Sequence, residues 1–169
     1  MLPVRSPIVA PITLKYSAGA NGSISGTASQ TVTAGGSGTP VTALANTGYH
    51  FASWSDGVAT AARTDTSVKA NISVTASFAV NQYTVTFVAG LHGSISGTTT
   101  QTVSYGGSTT SVTAVPTRGY RFVNWTDANS HVVGSSTALK LTNVTASQKI
   151  TANFSKWVIR NPGMPTFCS

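Results

Sequence analysis

Few residues in this chain have the chemistry of an active site, and acids are the scarcest of them. Only three of the 169 residues are acidic, and all three are aspartates: Asp56, Asp65 and Asp127. Asp56 and Asp127 each stand two residues after a tryptophan, with no second carboxylate or histidine nearby at ligand spacing. Because Ca²⁺ takes about six to eight oxygen ligands, one isolated carboxylate does not make a calcium site. We therefore predict that each of these two aspartates bonds its own backbone in a turn, and that the chain holds no metal or other cofactor.

Basic residues outnumber the acids but do not cluster along the sequence. Ten lysines and arginines leave a formal net charge of +7. Those away from the termini are Lys15, Arg63, Lys69, Arg118, Arg121, Lys140, Lys149 and Lys156. A nucleic-acid-binding protein concentrates its cations on one face among aromatic residues, so we predict no specific nucleic-acid partner. The excess charge favours weak, salt-sensitive association with anionic cell-wall polymers or lipid head groups. Alternatively, the shortage of acids simply leaves a few cations uncompensated.

The composition is that of a folded, hydroxyl-rich chain. Charged residues make up 8% of the sequence, against roughly 25% in an ordinary soluble domain, and 27 threonines and 22 serines supply polar surface instead. The apolar fraction of 40% is too high for a disordered chain. No apolar run approaches the roughly 20 residues of a membrane-spanning helix, and residues 1–11, interrupted by three prolines, do not have the pattern of a secretory signal. The single cysteine, Cys168, excludes an internal disulfide and a thiolate metal site.

The strongest signal in the sequence is an internal repeat. A shift of 71 residues aligns the stretch that begins at Ile12 with the one that begins at Tyr83, with 24 identities in 46 positions. After Asp127 the shift becomes 76, so the second copy holds five extra residues, which we place in a loop around residues 128–136. The predicted domains are an N-terminal extension (1–11), a first module (12–80), a second module (83–156) and a C-terminal tail (157–169). A short link at residues 80–82 joins the modules.

Within each copy, hydrophobic residues alternate with polar ones, which is typical of half-buried strands. Tyr83, Val85 and Phe87 alternate with threonines in this way. Residues 18–21 and 89–92 are predicted to form hairpin turns, with the next strand returning beside the previous one. A bend or bulge is expected between Phe51 and Trp54, so that both side chains reach one face. Regularly spaced turn signals, without any helical pattern, predict an all-β fold with at least five short strands per copy.

An aromatic triplet recurs in both copies and has two interpretations. The triplets are Tyr49, Phe51, Trp54 and Tyr120, Phe122, Trp125. On the surface, such a set would suit a sugar-stacking platform. Because a module of about 70 residues must place its largest side chains inside, we predict that both triplets belong to the core.

The histidines, in contrast, are not repeated. His50 and His92 align with Arg121 and Asn21, and His131 has no clear counterpart. A catalytic or metal-binding role maintained by the module would appear in both copies. We therefore predict that the histidines are solvent-exposed and that the chain is not an enzyme.

The residues shared by the two copies carry a family resemblance. Gly48-Tyr49-His50-Phe51-Ala52-Ser53-Trp54 and its second copy resemble the Listeria–Bacteroides repeat. The elements Gly-Ser-Ile-Ser-Gly-Thr and Trp-Ser-Asp-Gly more closely resemble the divergent internalin B-repeat, also called the bacterial repeat domain. The likeness covers about residues 12–78 and 83–154. It implies tandem all-β modules, β-grasp-like or β-sandwich-like, in secreted or surface-anchored bacterial proteins, and it implies no catalytic residues.

The expected function follows from repetition rather than from a site, and no ligand-binding residue is assigned. We expect a non-catalytic spacer or stalk of a bacterial surface or secreted protein, located outside the cell or on its surface. Neighbouring repeats of a longer array are its first expected partners. The alternative is an adhesin-type module that binds glycan or an anionic cell-wall polymer. A third possibility, a threonine-rich surface-binding face, depends only on Thr98-Thr99-Thr100 and its surroundings.

Overall fold

The structure, a computed structural model, describes residues 10–158, and every regular element in that range is a β-strand. The predicted all-β fold of two tandem modules is therefore confirmed. The first module contains β1 (Ile12–Ala18), β2 (Gly22–Ser25), β3 (Ser29–Val32), β4 (Val41–Ala45), β5 (Tyr49–Trp54), β6 (Ala62–Arg63) and β7 (Ile72–Val80). The second contains β8 (Gln82–Ala89), β9 (Gly93–Ser96), β10 (Thr100–Ser104), β11 (Val112–Pro116), β12 (Tyr120–Thr126), β13 (Val132–Gly134), β14 (Ala138–Leu139) and β15 (Gln148–Lys156). Most of the predicted extension and tail, with Cys168, lies outside the described residues.

Each module has two sheets, and its first and last strands lie side by side inside the larger one. In the first module the larger sheet has the order β3-β1-β7-β5, and β1 runs parallel to β7. In the second module the order is β10-β8-β15-β12-β13, with β8 parallel to β15. The smaller sheets, β2-β4-β6 and β9-β11-β14, are antiparallel. A parallel ladder therefore joins the beginning of each module to its end.

The two modules follow each other in the chain with almost no linker. β7 ends at Val80 and β8 begins at Gln82, so a single residue, Asn81, lies between the two strands. The fold divides between Asn81 and Gln82 into two compact units. Each unit contains a hydrophobic core of its own.

The core of each module is formed by the inward faces of both its sheets. In β1, Ile12, Leu14 and Tyr16 are buried while the residues between them are exposed, as the sequence alternation predicts. Leu14 from the larger sheet and Val41 from the smaller one belong to the same cluster. Trp54 and Trp125, 1% and 0% exposed, are the largest fully buried side chains. The prediction that the tryptophans form the core is therefore confirmed.

The tyrosines of the aromatic triplets do not share this burial. Phe51 and Phe122 pack against the two cores, but Tyr49 and Tyr120 are half-buried and stand outside both clusters. Each tyrosine is the first residue of its strand. Tyr120 stacks on His92 instead, with ring centroids 4.0 Å apart and an interplanar angle of 11°. The prediction of a buried triplet is thus wrong for the two tyrosines, because the core does not extend to the strand start.

The chain does not form the predicted hairpin after its first strand. β2 pairs with β4 in the smaller sheet and not with β1, and β9 likewise pairs with β11. The turn is made by Asn21 and His92, which have φ of 69° and 70°, in the left-handed region that asparagine tolerates better than most residues. After this turn the Phe78 ring fills the space where a Cβ on Gly22 would stand. The chain therefore crosses from one sheet to the other, and Ile24 packs onto the core between them.

A bulge occurs in both modules where the sequence predicts one. The register of β5 along β7 shifts between Phe51 and Ser53, and that of β12 along β15 shifts between Phe122 and Asn124. The extra residue brings Trp54 to the same side as Phe51, with ring centroids 6.0 Å apart. The bulge thus aims each tryptophan into its core.

Two repeated glutamines hold a turn that the sequence pattern did not reveal. The amide of Gln30, 8% exposed, donates to the carbonyls of Thr27 and Thr39 and accepts from the Thr39 backbone N–H. Gln101 makes the equivalent bonds with Thr98 and Thr110. Glutamine therefore occurs at this position in both copies because its amide supplies hydrogen-bond partners to buried backbone groups.

Candidate functional site

The densest group of ionisable side chains is a cluster in the first module formed by Tyr16, Asp56, Arg63 and Asp65, here called the arginine cluster. Arg63 Nε and Nη2 donate to the two Asp65 carboxylate oxygens at 3.1 and 2.7 Å. Its Nη1 and Nη2 donate to the Asp56 carboxylate oxygens at 3.2 and 3.0 Å. Tyr16 Oη donates to Asp65 Oδ2 at 2.6 Å. Arg63 thus holds two carboxylates at once, each through a bidentate pair.

Several elements bring the arginine cluster together around the end of a very short strand. Arg63 ends β6 and pairs with Val41 of β4, while Tyr16 comes from β1. The Arg63 guanidinium also lies 5.1 Å from the Trp54 ring centroid and 5.7 Å from that of Tyr16. Its side chain is only 6% exposed. An unpaired cation at such a position would be costly, and the two aspartates offset that cost. Arg63 is therefore a largely buried cation compensated by two aspartates, and it does not add to the exposed basic surface.

The ionisation of the cluster follows from these contacts. Hydrogen bonds from Arg63 hold the pKa of the Asp56 carboxyl below its ordinary value. Burial alone would raise the pKa of Asp65, but the bonds from Arg63 and Tyr16 outweigh it and the net shift is downward. Burial, followed by the bond to Asp65, raises the pKa of the Tyr16 phenol. At neutral pH the cluster therefore contains one cation, two carboxylates and a protonated phenol.

These properties suit the stabilisation of a fold better than reaction chemistry. A general base must lose its proton near the working pH, whereas the raised pKa keeps the phenol of Tyr16 protonated. The Nε, Nη1 and Nη2 atoms of Arg63 are all engaged with carboxylates of the same module. We therefore assign the arginine cluster a structural role.

At the positions equivalent to Tyr16, Arg63 and Asp65, the second module has apolar residues. Leu139 pairs with Val112 as Arg63 pairs with Val41. The Leu141 carbonyl accepts from Thr109 N at 2.9 Å, as the Asp65 carbonyl accepts from Gly38 N at 2.8 Å. Phe87 replaces Tyr16 in the repeat, and its edge contact with Trp125 reproduces that between Tyr16 and Trp54. One fold therefore accommodates either an ionic or an apolar cluster at this position.

The two repeated aspartates consequently differ in their contacts. Asp127 Oδ1 accepts from the backbone N–H groups of Asn129 and His131 at 2.8 and 2.9 Å, and the bond from His131 N–H is the main reason that the pKa of Asp127 is lowered. This agrees with the predicted turn. From the backbone of its turn, Asp56 accepts a long bond from Val58 N at 3.4 Å, and its shorter bonds come from Arg63, a partner that the turn prediction misses.

The histidines lie where the sequence predicts, at exposed positions. His50 Nδ1 is 2.8 Å from Asn81 Oδ1. His131 lies beside Asp127, with a side chain that is 77% exposed. His50 belongs to the first module, and His92 and His131 belong to the second.

Three exposed cations of the second module lie at one end of β12 and β15, where Lys156 pairs with Tyr120 and Arg118 precedes β12 by two residues. We call the exposed residues Arg118, Arg121, Lys156 and Trp157 the basic end. Arg121 pairs with Ser155 of β15, and its Nε donates to Ser155 Oγ at 3.2 Å. Its guanidinium stands 5.9 Å from the ring centroid of Trp157, within the range of a cation–π contact. Trp157 is 60% exposed, and its backbone N–H donates to the Gly119 carbonyl at 2.9 Å.

The equivalent surface of the first module has a different character. Asn81 N donates to the Gly48 carbonyl as Trp157 N donates to that of Gly119. Val80 pairs with Tyr49 as Lys156 pairs with Tyr120. The four positions of the basic end are therefore occupied by Thr47, His50, Val80 and Asn81 in the first module. The basic end is a property of the second copy alone.

The threonine-rich surface lies on the outward face of the larger sheet of the second module. Thr84 and Thr86 of β8 stand opposite Thr102 and Thr100 of β10. On the other side of β8, Lys149 pairs with Thr86. The exposed cation interrupts the row, so this face is not a uniform array of hydroxyl groups.

Residues 10–158 have neither a cluster of metal-binding side chains nor a cavity. No set of three or more His, Cys, Asp or Glu side chains in that range is arranged as metal ligands would be, and no pocket was found there. The described residues also include no helix with the length and apolarity to cross a membrane.

Comparisons with known proteins identify the module. Neither a search of curated proteins nor a search of solved structures returned a match. A family profile described as the divergent InlB B-repeat domain matches residues 12–82 and, separately, residues 83–157. Together the two matches cover most of the sequence. The chain therefore belongs to the divergent InlB B-repeat domain family, of which it contains two copies in tandem.

Proposed function

We propose that this pair of modules is a non-catalytic, load-bearing spacer in a surface or secreted protein of a bacterium, located outside the cell or on its surface. The family is a repeat domain of bacterial surface proteins, and tandem copies of one module are what a spacer requires. Neighbouring repeats are its natural partners.

The parallel pairing of the first and last strands is the observation that carries this proposal. In the first module the ladder runs from Leu14 opposite Ile72 to Ala18 opposite Ala76. Tension acts on the start of β1 and on the end of β7. Because these two strands are parallel neighbours, the load pulls them past each other in opposite directions, as shear along the ladder. The evenly spaced hydrogen bonds of a parallel ladder are then loaded together rather than one after another. β8 and β15 form the same arrangement in the second module.

The one-residue link supports the same function. β7 ends at Val80 and β8 begins at Gln82, so the strand that leaves one central ladder continues almost directly into the next. A long linker would stretch before either module felt the load. Here tension reaches both ladders through the single residue Asn81.

Single-molecule stretching tests the proposal. With handles at the two chain ends, we expect two separate unfolding events, each releasing about 3.5 Å of extended chain per unfolded residue. The control pulls between cysteines at Ala20→Cys and Asn81→Cys, in a chain with Cys168→Ser. This geometry pulls on the carboxyl-terminal ends of the two parallel strands, so it opens their ladder from that end, bond by bond. Unfolding of the first module should need clearly less force in the control, and equal forces in the two geometries would contradict a load-bearing design.

A second candidate function is that of an adhesin-type module for glycan or an anionic cell-wall polymer. The observation that favours it is the basic end, where the exposed Arg121 lies 5.9 Å from the ring centroid of the exposed Trp157. The two functions are compatible, since a spacer that carries load is also suited to present a binding surface.

A further inference from the structure

We propose that the basic end of the second module binds an acidic polysaccharide whose sugars carry carboxylate groups. Arg118 and Arg121 would pair with the carboxylates, and Trp157 would pack against the apolar face of a sugar ring. The inference depends on the second candidate function above and is independent of the load-bearing one.

The charge at this surface is not neutralised by side-chain carboxylates of the chain. All three acidic residues of the sequence are engaged elsewhere: Asp56 and Asp65 with Arg63, and Asp127 with His131 and its own turn. Within the described residues the second module has five lysines and arginines and one aspartate, a formal charge of +4. The first module has three and two, a formal charge of +1. An anionic partner is therefore attracted chiefly to the second module.

The geometry of the basic end leaves ligand-binding groups available. The bond from Arg121 Nε to Ser155 Oγ fixes the side chain, while its two Nη groups make no hydrogen bond to any other residue in the range 10–158. A guanidinium presents such groups as a fork that matches a carboxylate. Trp157 exposes 60% of its surface beside this fork. A cationic group and an apolar ring thus lie side by side at the end of the strand.

This combination favours a carboxylated sugar over other polyanions. A uronic acid presents a carboxylate and an apolar ring face in one repeating unit, so it uses both the guanidinium and the indole. A polyphosphate has the charge without the apolar face. A nucleic acid offers both, but proteins that bind single strands stack successive bases on several aromatic side chains, whereas the basic end has one exposed aromatic residue, Trp157. The acidic polysaccharide is therefore the partner to which we commit.

The chain provides its own matched variants, because the first module shows which residues this fold accepts at each position. Arg118→Thr with Arg121→His, and separately Trp157→Asn, introduce first-module residues at the basic end. Lys140→Thr with Lys149→Ser removes two charges elsewhere on the second module, again with first-module residues at a shift of 76. The two double variants have the same net charge at a pH where histidine is neutral.

The test is a binding titration of the full chain at pH 7.5 in low and in physiological salt. The probes are polygalacturonate, neutral dextran, polyphosphate and single-stranded DNA. We expect polygalacturonate to bind most tightly, with affinity falling as salt rises. The Arg118→Thr/Arg121→His variant should lose about tenfold or more of that affinity, equivalent to about 1.4 kcal/mol. The Lys140→Thr/Lys149→Ser variant should lose clearly less, and Trp157→Asn should weaken polygalacturonate binding but not polyphosphate binding.

Three results would overturn the inference, and they separate its parts. Equal losses in the two double variants would mean that only net charge matters and that the basic end is not the site. Tighter binding of polyphosphate or DNA would assign a different partner. Absence of polygalacturonate binding at low salt would remove the binding function altogether, while the stretching experiment would still decide the spacer.

Discussion

Arg63 and Leu139 occupy the same position in the two modules, each at the end of a two-residue strand and each paired with a buried valine, Val41 or Val112. One is a cation held by two carboxylates, and the other is part of an apolar cluster. Replacing a buried ion pair by well-packed apolar residues is often neutral or stabilising, whereas removing one partner is strongly destabilising. The two modules of this chain therefore show both cases, a buried ion pair in the first module and its apolar replacement in the second.

The first prediction exchanges the arginine cluster for its apolar counterpart. Arg63→Leu alone should destabilise the first module by about 3–5 kcal/mol, because it leaves the largely buried Asp65 without its cation. The triple variant Tyr16→Phe, Arg63→Leu and Asp65→Leu should instead have a free energy of unfolding that is at most about 1 kcal/mol lower than that of the original, or is higher. Apolar replacement of a buried ion pair is often neutral or stabilising in this way. Urea unfolding, followed by NMR signals assigned to each module, measures both. A triple variant as unstable as the single one would show that the two sites are not interchangeable.

The second prediction concerns acid. The pKa values of Asp56 and Asp65 are lowered in the folded state, so the unfolded chain binds more protons at low pH. Their contribution to stability is complete above the ordinary aspartate pKa of about 3.9 and is lost as the pH falls through the lower folded values. The first module should therefore lose more stability than the second between about pH 4 and pH 2, since the second has only Asp127. Thermal melting of each module, followed across this pH range, measures the difference in stability loss between them. That difference should be smaller in the triple variant, which lacks Asp65 and Arg63.

The third prediction concerns the buried tryptophans. Trp54→Ala or Trp125→Ala should each cost about 3–5 kcal/mol and unfold its own module, since each indole is fully buried. Each Nε1 also donates to a backbone carbonyl, of Thr60 in one module and Ser136 in the other. Calorimetry of the full chain should show one transition shifted and the other unchanged. Unchanged melting of either variant would contradict the core assignment.

The fourth prediction concerns the glycine at the crossing between sheets. An alanine Cβ at Gly22 would clash with the Phe78 ring, and one at Gly93 would clash with the Phe154 ring. Displacing a packed ring should cost about 1–3 kcal/mol in each module. Ser23→Ala, at the exposed neighbouring position, is the control and should change the unfolding free energy by less than about 0.5 kcal/mol. If Gly22→Ala behaves like this control, the close approach of Phe78 does not constrain the turn.

The sequence predicts the strands better than it predicts their partners. Alternation in β1 and the repeat at a shift of 71 locate strands and buried tryptophans, because burial on one face leaves a period of two. The sequence pattern does not indicate which sheet β2 joins, because Ile24 would point inward in a hairpin with β1 as well as in the observed pairing with β4. The arginine cluster is missed for another reason. β6 is too short to show a period, and Arg63 aligns with Leu139 only at the shift of 76 that follows the insertion. That insertion contains β13, which extends the larger sheet of the second module beyond β12.

The parallel pairing of first and last strands also determines when each module folds. β1 pairs with β3 on one side, but its other neighbour in the larger sheet is available only after residues Ile72–Val80 have been synthesised. The core of the first module, which includes Val74 and Ala76 of β7, is therefore completed last. Pairings this distant in sequence are slow to form. Once Val80 is present, however, the strand set of the first module is complete before any strand of the second exists. The chain is therefore built as whole modules in order, and an unfinished module keeps one edge of β1 unpaired until its last strand arrives.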